Sequence, residues 1–258
     1  MKKLLMLALG FFSQSAFSES DLNSRFKNKE TLIIATDGAY PPFNYHDESG
    51  KLTGYDVEVT RAIFDYLQVP IEFKETQWDS MLSGLKAKRF DFVANQVTLQ
   101  TEERKAIFDG ALPYSYSGMV VVVHQDNDEI KDLKDIKGKK SSQTPNANHA
   151  IFAEDNGAEL VSVTSMAESF ELIAQKRVDL TINDSLALLD YQQKNPDSVL
   201  KIVWTSPSED LIPSGLITYK GNQETLDKIN EAIKALQANG TIAEIGKRFF
   251  GQDISVKP

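Results

Sequence analysis

Polar side chains follow three segments that the sequence predicts to be β-strands, and carboxylate and amide groups there could bind a charged small molecule. Asp37 follows the run TLIIAT, Asn95 ends the run FDFVAN, and Asp184 comes shortly after VDLTI. Because ligands of open α/β sheets bind at the carboxyl ends of strands, these groups could meet in one cleft. The alternative is ordinary loop chemistry, since Asp and Asn are common in turns. The pattern alone leaves these two interpretations equal.

Strands and helices alternate along the chain, which predicts an α/β fold. The predicted strands cover residues 31–36, 70–74, 90–95, 120–123, 178–182, 199–204 and 215–219. The predicted helices cover residues 56–67, 78–88, 167–176, 185–194 and 224–238, and Gly240 follows the last one as a C-terminal glycine. Two such cycles predict two lobes, each with a mainly parallel sheet flanked by helices, and a ligand cleft between them.

Scarce residue types exclude several reaction classes. The chain has 258 residues, three His and no Cys, so we expect no thiol nucleophile, disulfide framework, thiolate zinc site or iron–sulfur cluster. His46, His124 and His149 lie near no Gly-x-Ser-x-Gly elbow and form no His-Glu-x-x-His motif. We therefore expect no catalytic residue, no metal site and no cofactor. The net charge of −9 argues against a nucleic-acid partner.

The N-terminus has the three parts of a secretory signal peptide. Lys2 and Lys3 precede the apolar run 4–12, and the small-residue site Ala16-Phe17-Ser18 follows. The alternative is a membrane anchor, but this run is shorter than the roughly 20 residues that a spanning helix needs. We therefore predict a cleaved signal peptide over residues 1–18. No Cys that could carry a lipid anchor follows the apolar run, and no later stretch is long and apolar enough to span a membrane. We therefore expect a soluble, exported mature protein.

Five segments together resemble one known family. They are ATDGAYPPFNY, GKLTGYDVEVTRAI, WDSMLSGLKAKRFDFVANQVT, EERKAIFD and PYSYSG, in this order. In order and spacing they are similar to the periplasmic amino-acid-binding proteins of ABC transporters, over residues 30–251. Each piece alone is weak, whereas the ordered run is specific. Within the family, Asn95-Gln96-Val97-Thr98 resembles the cystine-binding branch.

The resemblance implies a two-lobed periplasmic-binding-protein fold of type II, in which the chain crosses between the lobes twice. Lobe 1 would comprise residues 26–117 and 215–258, and lobe 2 residues 118–214. The hinges would lie near Ser117-Gly118 and Ser214-Gly215, where glycine tolerates a change of φ and ψ. The implied protein is a periplasmic monomer that binds L-cystine, or another polar amino acid such as glutamine or histidine. By closing over it, the protein would present its ligand to an inner-membrane ABC permease.

The resemblance also assigns the two charged ends of an amino acid. Arg104, beside Thr98, matches the residue that binds the α-carboxylate, for which a guanidinium provides a planar pair of donors. Asp184 matches the residue that binds the α-ammonium, with the main-chain carbonyl of Gln96 as a second acceptor. The alternatives are a solvated helix face for Arg104 and a helix N-cap for Asp184. Thr98 and Arg104 are six positions apart, whereas a spacing of five is common in the family. We therefore expect an extra residue in the turn between them.

The remaining predicted ligand contacts form the walls of the pocket. Tyr40 and Trp78 match bulky wall positions, and Asp37 either faces the distal part of the ligand or caps its own turn. Thr144 and Asn148 occupy a loop that is glycine-rich in many relatives, and His149 is expected on the surface. The predicted set is Asp37, Tyr40, Trp78, Asn95, Gln96, Val97, Thr98, Arg104, Thr144, Asn148 and Asp184.

Two other classes of protein compete with an amino-acid-binding protein. A few proteins with this fold are dehydratases of the arogenate or prephenate type, which need a carboxylic acid over the substrate. Asp37 is the only candidate for that acid, and we expect no catalysis. A sensor domain of a receptor is the second alternative, and the chain end at Pro258 and the absence of a predicted membrane span oppose it.

Overall fold

The computed structural model describes residues 21–99 and 101–257. The predicted signal peptide, residues 1–18, lies outside this part of the chain. Within the described ranges, no helix combines the length and the apolar character that are needed to cross a bilayer.

The strands of the described residues are mostly short. In chain order they are β1 (Leu32–Thr36), β2 (Ala39–Tyr40), β3 (Asn44–His46), β4 (Leu52–Thr53), β5 (Ile71–Glu75), β6 (Phe92–Val93), β7 (Phe108–Gly110), β8 (Ser115–Ser117), β9 (Met119–His124), β10 (Lys140–Gln143), β11 (Glu159–Ser162), β12 (Leu180–Asp184), β13 (Leu200–Thr205), β14 (Ile212–Ser214) and β15 (Ile217–Tyr219).

The α-helices alternate with these strands. They are α1 (Leu22–Lys27), α2 (Tyr55–Leu67), α3 (Trp78–Lys86), α4 (Glu102–Ile107), α5 (Asn148–Asp155), α6 (Met166–Ala174), α7 (Ser185–Lys194), α8 (Gln223–Ala238) and α9 (Thr241–Phe250). Short 3₁₀ turns cover Leu133–Ile136 and Ser208–Asp210.

Two five-stranded sheets organise the molecule, which confirms the predicted α/β class. The first sheet has the order β5-β1-β6-β15-β7, and the second has the order β11-β10-β12-β9-β13. Each contains two parallel pairings, made by β1 in the first sheet and β10 in the second. Both sheets are mixed rather than mainly parallel, because β15 and β9 run antiparallel to both of their neighbours. These two strands are the first that the chain enters after passing from one sheet to the other.

A two-stranded antiparallel ribbon joins the sheets. Its strands are β8 and β14, with Ser115 opposite Ser214 and Ser117 opposite Ile212. The chain leaves the first sheet after β7, runs through β8 into β9, and returns from β13 through β14 to β15. Gly118 follows the ribbon directly, and a Cβ atom there would lie 2.6 Å from the Ser206 Oγ. Close packing is therefore what demands glycine at this position.

The apolar stripes of the long helices form the core as the sequence predicts. On α8, Leu226, Ile229, Ile233 and Leu236 are buried. Gly240 lies just beyond its C-cap with a φ of +84°, the left-handed conformation in which glycine avoids a steric penalty. Helix α9, which begins directly after this glycine, is not among the predicted helices.

Strand β6 is shorter than the predicted run 90–95, and side chains supply part of the hydrogen bonding at both of its ends. The Asp91 carboxylate accepts the Ile33 N–H at 2.8 Å and pairs with Arg25 at 2.6 Å. At the other end, the Asn95 Oδ1 accepts the Asp37 N–H at 2.9 Å. The loop that follows β6 therefore starts from a fixed position beside β1.

Candidate functional site

A cavity of about 270 Å³ lies between the two sheets, with the ribbon residues Ser117, Ile212 and Ser214 along it. This volume is near the lower end of the range of about 300–1,000 Å³ that is usual for small-molecule sites. The first wall, from the chain of the first sheet, consists of Asp37, Ala39, Tyr40, Gln77, Trp78, Asn95 and Gln96. The second wall, from the chain of the second sheet, consists of Thr144, Ala147, Asn148, His149, Thr164, Ser165, Met166, Asn183 and Asp184.

In the first wall, Asn95 fixes Asp37. Besides accepting the Asp37 N–H, Asn95 donates from Nδ2 to the Asp37 Oδ2 at 3.3 Å. The other carboxylate oxygen of Asp37 accepts the Ala39 N–H at 3.0 Å. Burial raises the pKa of Asp37, while these two hydrogen bonds act in the opposite direction. Asp37 therefore caps its turn and faces the cavity at the same time.

The loop that contains Gln96 is held by the buried carboxylate of Asp56, which is not among the predicted site residues. Gln96 has a φ of +48°, which is uncommon for a residue other than glycine. Its N–H donates to the Oδ2 of Asp56 at 2.7 Å, and Asp56 is fully buried at the start of α2. Burial raises the pKa of Asp56 to about 7. The Gln96 side chain accepts from the Ser115 hydroxyl at 2.8 Å.

The two predicted aromatic residues both line the cavity. The Tyr40 hydroxyl donates to the Asn183 Oδ1 at 2.8 Å and thereby connects the two walls. Burial, with the nearby carboxylates Asp184 and Asp37, raises the pKa of Tyr40, so its hydroxyl keeps its proton. The indole nitrogen of Trp78 and the Nε2 of Gln96 are buried and have no hydrogen-bond partner among the described residues. Both nitrogens are donors.

Asp184 caps α7 and also faces the cavity. Its Oδ1 accepts the N–H groups of Leu186 at 2.8 Å and Ala187 at 3.3 Å, and its Oδ2 accepts the Ser117 hydroxyl. Burial raises the pKa of Asp184 to about 6, against the effect of these three hydrogen bonds. The predicted capping role and the predicted place in the site are thus present in one side chain.

Helix α5 directs its N-terminus towards the cavity. Its N-cap residue, Ala147, offers no side-chain acceptor, and Ala147, Asn148 and His149 all line the cavity. His149, expected on the surface, is half-buried: it is the second residue of α5 and lines the cavity. Burial, with a smaller contribution from Arg104, lowers the pKa of His149 to about 4. The imidazole is therefore neutral near pH 7.

Three predicted ligand contacts, Val97, Thr98 and Arg104, do not line this cavity. Val97 is buried in an apolar cluster of the first sheet. Arg104 lies on α4 and is 6% exposed, so it is not part of a solvated helix face. Its guanidinium donates to the main-chain oxygens of Thr98 at 3.0 Å and Asn146 at 2.6 Å. The role of these three residues in binding ligand stays a prediction.

Arg104 lies directly behind the first wall. Its guanidinium carbon is 5.5 Å from the centroid of the Trp78 ring, and it lines a second cleft of about 530 Å³ that Trp78 also lines. Burial lowers the pKa of Arg104, while the carboxylate of Glu103 raises it. Arg104 contacts main chain from both halves of the molecule, because Thr98 follows the first sheet's β6 and Asn146 follows the second sheet's β10.

The cavity therefore offers both acceptors and donors of hydrogen bonds. Asp37 and Asp184 are acceptors for a cationic group, while Gln96, Trp78 and the start of α5 offer N–H groups to an anionic one. The described residues contain no group of three or more His, Asp or Glu side chains that could hold a metal ion. Such an arrangement suits a small zwitterion.

Comparison with known proteins agrees with this chemistry. The family described as bacterial extracellular solute-binding proteins, family 3, matches residues 32–252. The chain belongs to this family. Among its family relatives is a probable amino-acid ABC transporter-binding protein of Haemophilus influenzae, 42% identical over 99% of this chain and 100% of the relative. The L-cystine-binding protein TcyA of Bacillus subtilis is 41% identical over 94% of this chain and 90% of its own.

A solved structure of the same family gives a conformational contrast. The L-cystine solute receptor of Neisseria gonorrhoeae, in an unliganded open conformation, is 54% identical, with a TM-score of 0.63 and coverage of 92% of this chain and 100% of the receptor. In the present structure, hydrogen bonds of Tyr40 and Arg104 join the two halves. The present arrangement is therefore a closed one.

Proposed function

We propose that this solute-binding protein is the periplasmic ligand-binding component of an amino-acid ABC importer and that its ligand is L-cystine. The observation that carries the proposal is the closed cavity with carboxylates and unpartnered N–H donors on its walls. The choice of cystine is supported by two relatives, 41% and 54% identical, which are described as an L-cystine-binding protein and an L-cystine solute receptor. Related polar amino acids, such as glutamine or histidine, are the competing ligands.

The charged groups of the ligand have matching partners in the cavity. The α-ammonium group binds the Asp184 carboxylate and the main-chain carbonyl of Gln96. The α-carboxylate binds the N–H groups at the start of α5, with Thr144 and Asn148 beside it and Arg104 turning inward from behind Trp78. A second ammonium group, which cystine has, is placed against Asp37. Tyr40 and Trp78 cover the apolar middle of the molecule, where aromatic rings also favour contact with sulfur.

Capture requires the halves to separate. Residues 26–117 and 215–258 form one lobe, residues 118–214 form the other, and the ribbon of β8 and β14 is the hinge. The open form admits the ligand, and closure is favoured because the ligand's charged ends contact both walls. The closed monomer then presents a surface that an inner-membrane permease recognises. Residues 1–18 direct export and are removed.

Calorimetry on the purified mature protein tests the proposal. Titration with L-cystine is expected to give one site per monomer, with weaker binding of glutamine, histidine and arginine. Tighter binding of another amino acid would keep the importer role and replace the ligand. An absence of binding to every amino acid would overturn the proposal.

The absence of cysteine from the chain permits a covalent test of the ligand and of one wall position. In Thr144→Cys, a thiolate in the cavity attacks the disulfide of cystine, forming a mixed disulfide with one half and releasing the other as free cysteine. This adduct is expected to form faster than in Ser49→Cys, whose position is exposed and remote from the cavity. Equal rates, once calorimetry has shown cystine binding, would remove Thr144 from the site.

A dehydratase is the second candidate, because Asp37 is an acid with a raised pKa that faces the cavity. The family relatives compared above are binding proteins. Incubation with arogenate or prephenate is therefore expected to leave both compounds unchanged. Turnover that disappears in Asp37→Asn would establish the enzyme instead.

A further inference from the structure

The first ribbon strand, β8, bonds to both walls of the cavity through alternate side chains. Side chains two residues apart lie on the same face of a strand. The Ser115 hydroxyl donates to the Gln96 Oε1 at 2.8 Å, and the Ser117 hydroxyl donates to the Asp184 Oδ2. The residues are 0% and 6% exposed, respectively. One strand face thus contacts the loop of the first wall and the carboxylate of the second.

We propose that Ser115 and Ser117 are positioning residues for ligand capture: the Ser117 hydroxyl holds the Asp184 carboxylate, and the Ser115 hydroxyl holds the side chain of Gln96, whose main-chain carbonyl is the second group that receives the ligand's ammonium. The inference rests on the proposed function only in assigning the ammonium to these groups. Because the two serines belong to the strand that crosses between the sheets, the receiving groups are tied to the hinge. A change in the conformation of the hinge therefore alters the positions of both Asp184 and Gln96.

Ser117 keeps Asp184 ionised as well as oriented. A hydrogen bond donated to a carboxylate favours the charged form, and here it opposes the burial that raises the pKa of Asp184. The other groups that act on Asp184 are the N–H groups of Leu186 and Ala187 on its own helix. Tyr40 and Asp37 of the first wall line the same cavity, and the carboxylates of Asp184 and Asp37 in turn raise the pKa of the buried Asp56 on α2. Without the Ser117 donor, Asp184 binds its proton at a higher pH.

Ser115 acts on geometry and not on charge. Its hydroxyl lies between the Gln96 side chain and the main-chain oxygen of Ser214 on the opposite ribbon strand, at 2.8 and 3.5 Å. Gln96 needs such support because its backbone is in the left-handed region. The orientation of the Gln96 carbonyl, the second ammonium acceptor, is then set by Ser115 and Asp56 together.

The first experiment needs no ligand. Carbon-13 NMR titration of the Asp184 carboxyl group compares wild type with Ser117→Ala, Ser117→Thr and the control Ser142→Ala. Ser142 is a buried serine whose hydroxyl has no partner among the described residues and which does not line the cavity. The Asp184 midpoint is expected to rise by about one pH unit in Ser117→Ala only. An unchanged midpoint there would overturn the inference. If that variant does not fold, Ser117→Cys, with a weaker donor, is expected to give a smaller rise.

The second experiment measures cystine affinity by calorimetry between pH 5 and 8. Ser117→Ala is expected to bind about tenfold more weakly at pH 8 and to lose binding on acidification about one pH unit earlier than wild type. Ser115→Ala is expected to bind more weakly at every pH with the wild-type pH profile. A shifted profile in Ser115→Ala, or wild-type affinity in either variant, contradicts the inference. Failure of wild type to bind any amino acid contradicts only the proposed function, because the NMR titration stands without ligand.

Discussion

The two walls of the cavity are stabilised differently: the interacting residues are far apart in sequence in the first wall and mostly close in sequence in the second. In the first wall, Asn95 holds Asp37 from 58 positions away, and Asp56 holds Gln96 from 40 positions away. In the second wall, Asp184 caps α7 through Leu186, two positions on, and Ser165 caps α6 through Glu168, three positions on. The first wall therefore depends on partners far along the chain, whereas the second is built on helix ends that are capped locally, with Ser117 as a long-range partner of Asp184.

The two walls also differ in what they present to the ligand: the first mainly defines the shape of the cavity, and the second mainly its electrostatics. The first wall presents two aromatic rings and a loop in an uncommon backbone conformation, which only long-range partners can hold in place. The second wall presents the starts of three helices, where N–H groups and the helix dipole favour negative charge. Asp184 is an exception, since it uses part of one helix start for its own carboxylate.

Arg104→Ala is expected to have the largest effect on binding, because this side chain contacts main chain from both halves. Leaving a buried ligand carboxylate without its cation costs about 3–5 kcal/mol, which is several hundredfold or more in affinity. Calorimetry measures the loss, with the exposed neighbour Lys105→Ala as the control of unchanged affinity. If Arg104→Ala binds as wild type does, the guanidinium stays behind Trp78 and the carboxylate is bound by α5 alone.

The stability of the ligand-free protein is expected to fall as the pH rises, chiefly through the first wall. The folded-state pKa of Asp56, about 7, lies above the ordinary value of 3.8, so the native state holds this proton more tightly than the unfolded state does. Its contribution is present below about pH 4 and is lost as the pH rises to about 7. At about 1.4 kcal/mol per pKa unit, the loss is up to about 4 kcal/mol.

Denaturant unfolding at pH 5 and pH 8 measures this difference. Asp56→Asn is expected to remove most of it, because a neutral amide does not titrate. Asp184→Asn is expected to remove less, because the pKa of Asp184 is raised only to about 6. The prediction fails if Asp56→Asn retains the full wild-type pH dependence.

Asp184→Asn is expected to weaken binding while leaving the fold intact. Asparagine caps a helix about as well as aspartate does, so α7 keeps its start, but the charge that meets the ammonium is lost. A hydrogen bond to a charged group contributes about 1.5–3 kcal/mol, or roughly 10- to 150-fold in affinity. Asp190→Asn on the same helix, which removes an ion pair with Lys194, is the matched control. Equal affinities of the two variants would leave Asp184 with its capping role alone.

The sequence predicts features that depend on neighbouring residues better than features that depend on residues far apart in the chain. Residues 185–194 were predicted as a helix with Asp184 as its cap, and the structure has α7 over that range with that cap. Asp56 was recognised only as the start of a helix, because nothing near it in sequence indicates that it holds Gln96. The only available signal was an acid in the first turn of α2 facing an apolar stripe, which is also common on solvated helices.

Missed elements have comparable causes. Helix α9 has Ile242, Ile245 and Phe249 at helical spacing, but its N-cap is a glycine that also follows α8, and so it was assigned only to the end of that helix. The sequence favours a loop at the start of α5, because the helix begins at Asn148 without a capping side chain. The mixed sheets could not be predicted from strand–helix alternation, because strand direction depends on where the chain crosses between the sheets.

Tyr40→Phe is expected to have the smallest effect and to show how far the two walls act together. The change removes only the hydroxyl that donates to Asn183, and the ring keeps its contact with Phe43, 5.4 Å away between centroids. A neutral hydrogen bond is worth about 1 kcal/mol, so affinity is expected to fall about fivefold. Since the lost bond exists only in the closed form, dissociation should become faster while association is unchanged, and stopped-flow fluorescence separates the two rates.

Asn183→Ala removes the same bond from the other wall. The affinity of the double variant should therefore fall by no more than the larger of the two single losses. Fully additive losses would mean that Tyr40 and Asn183 act on the ligand separately, and the bond between the walls would have no part in closure.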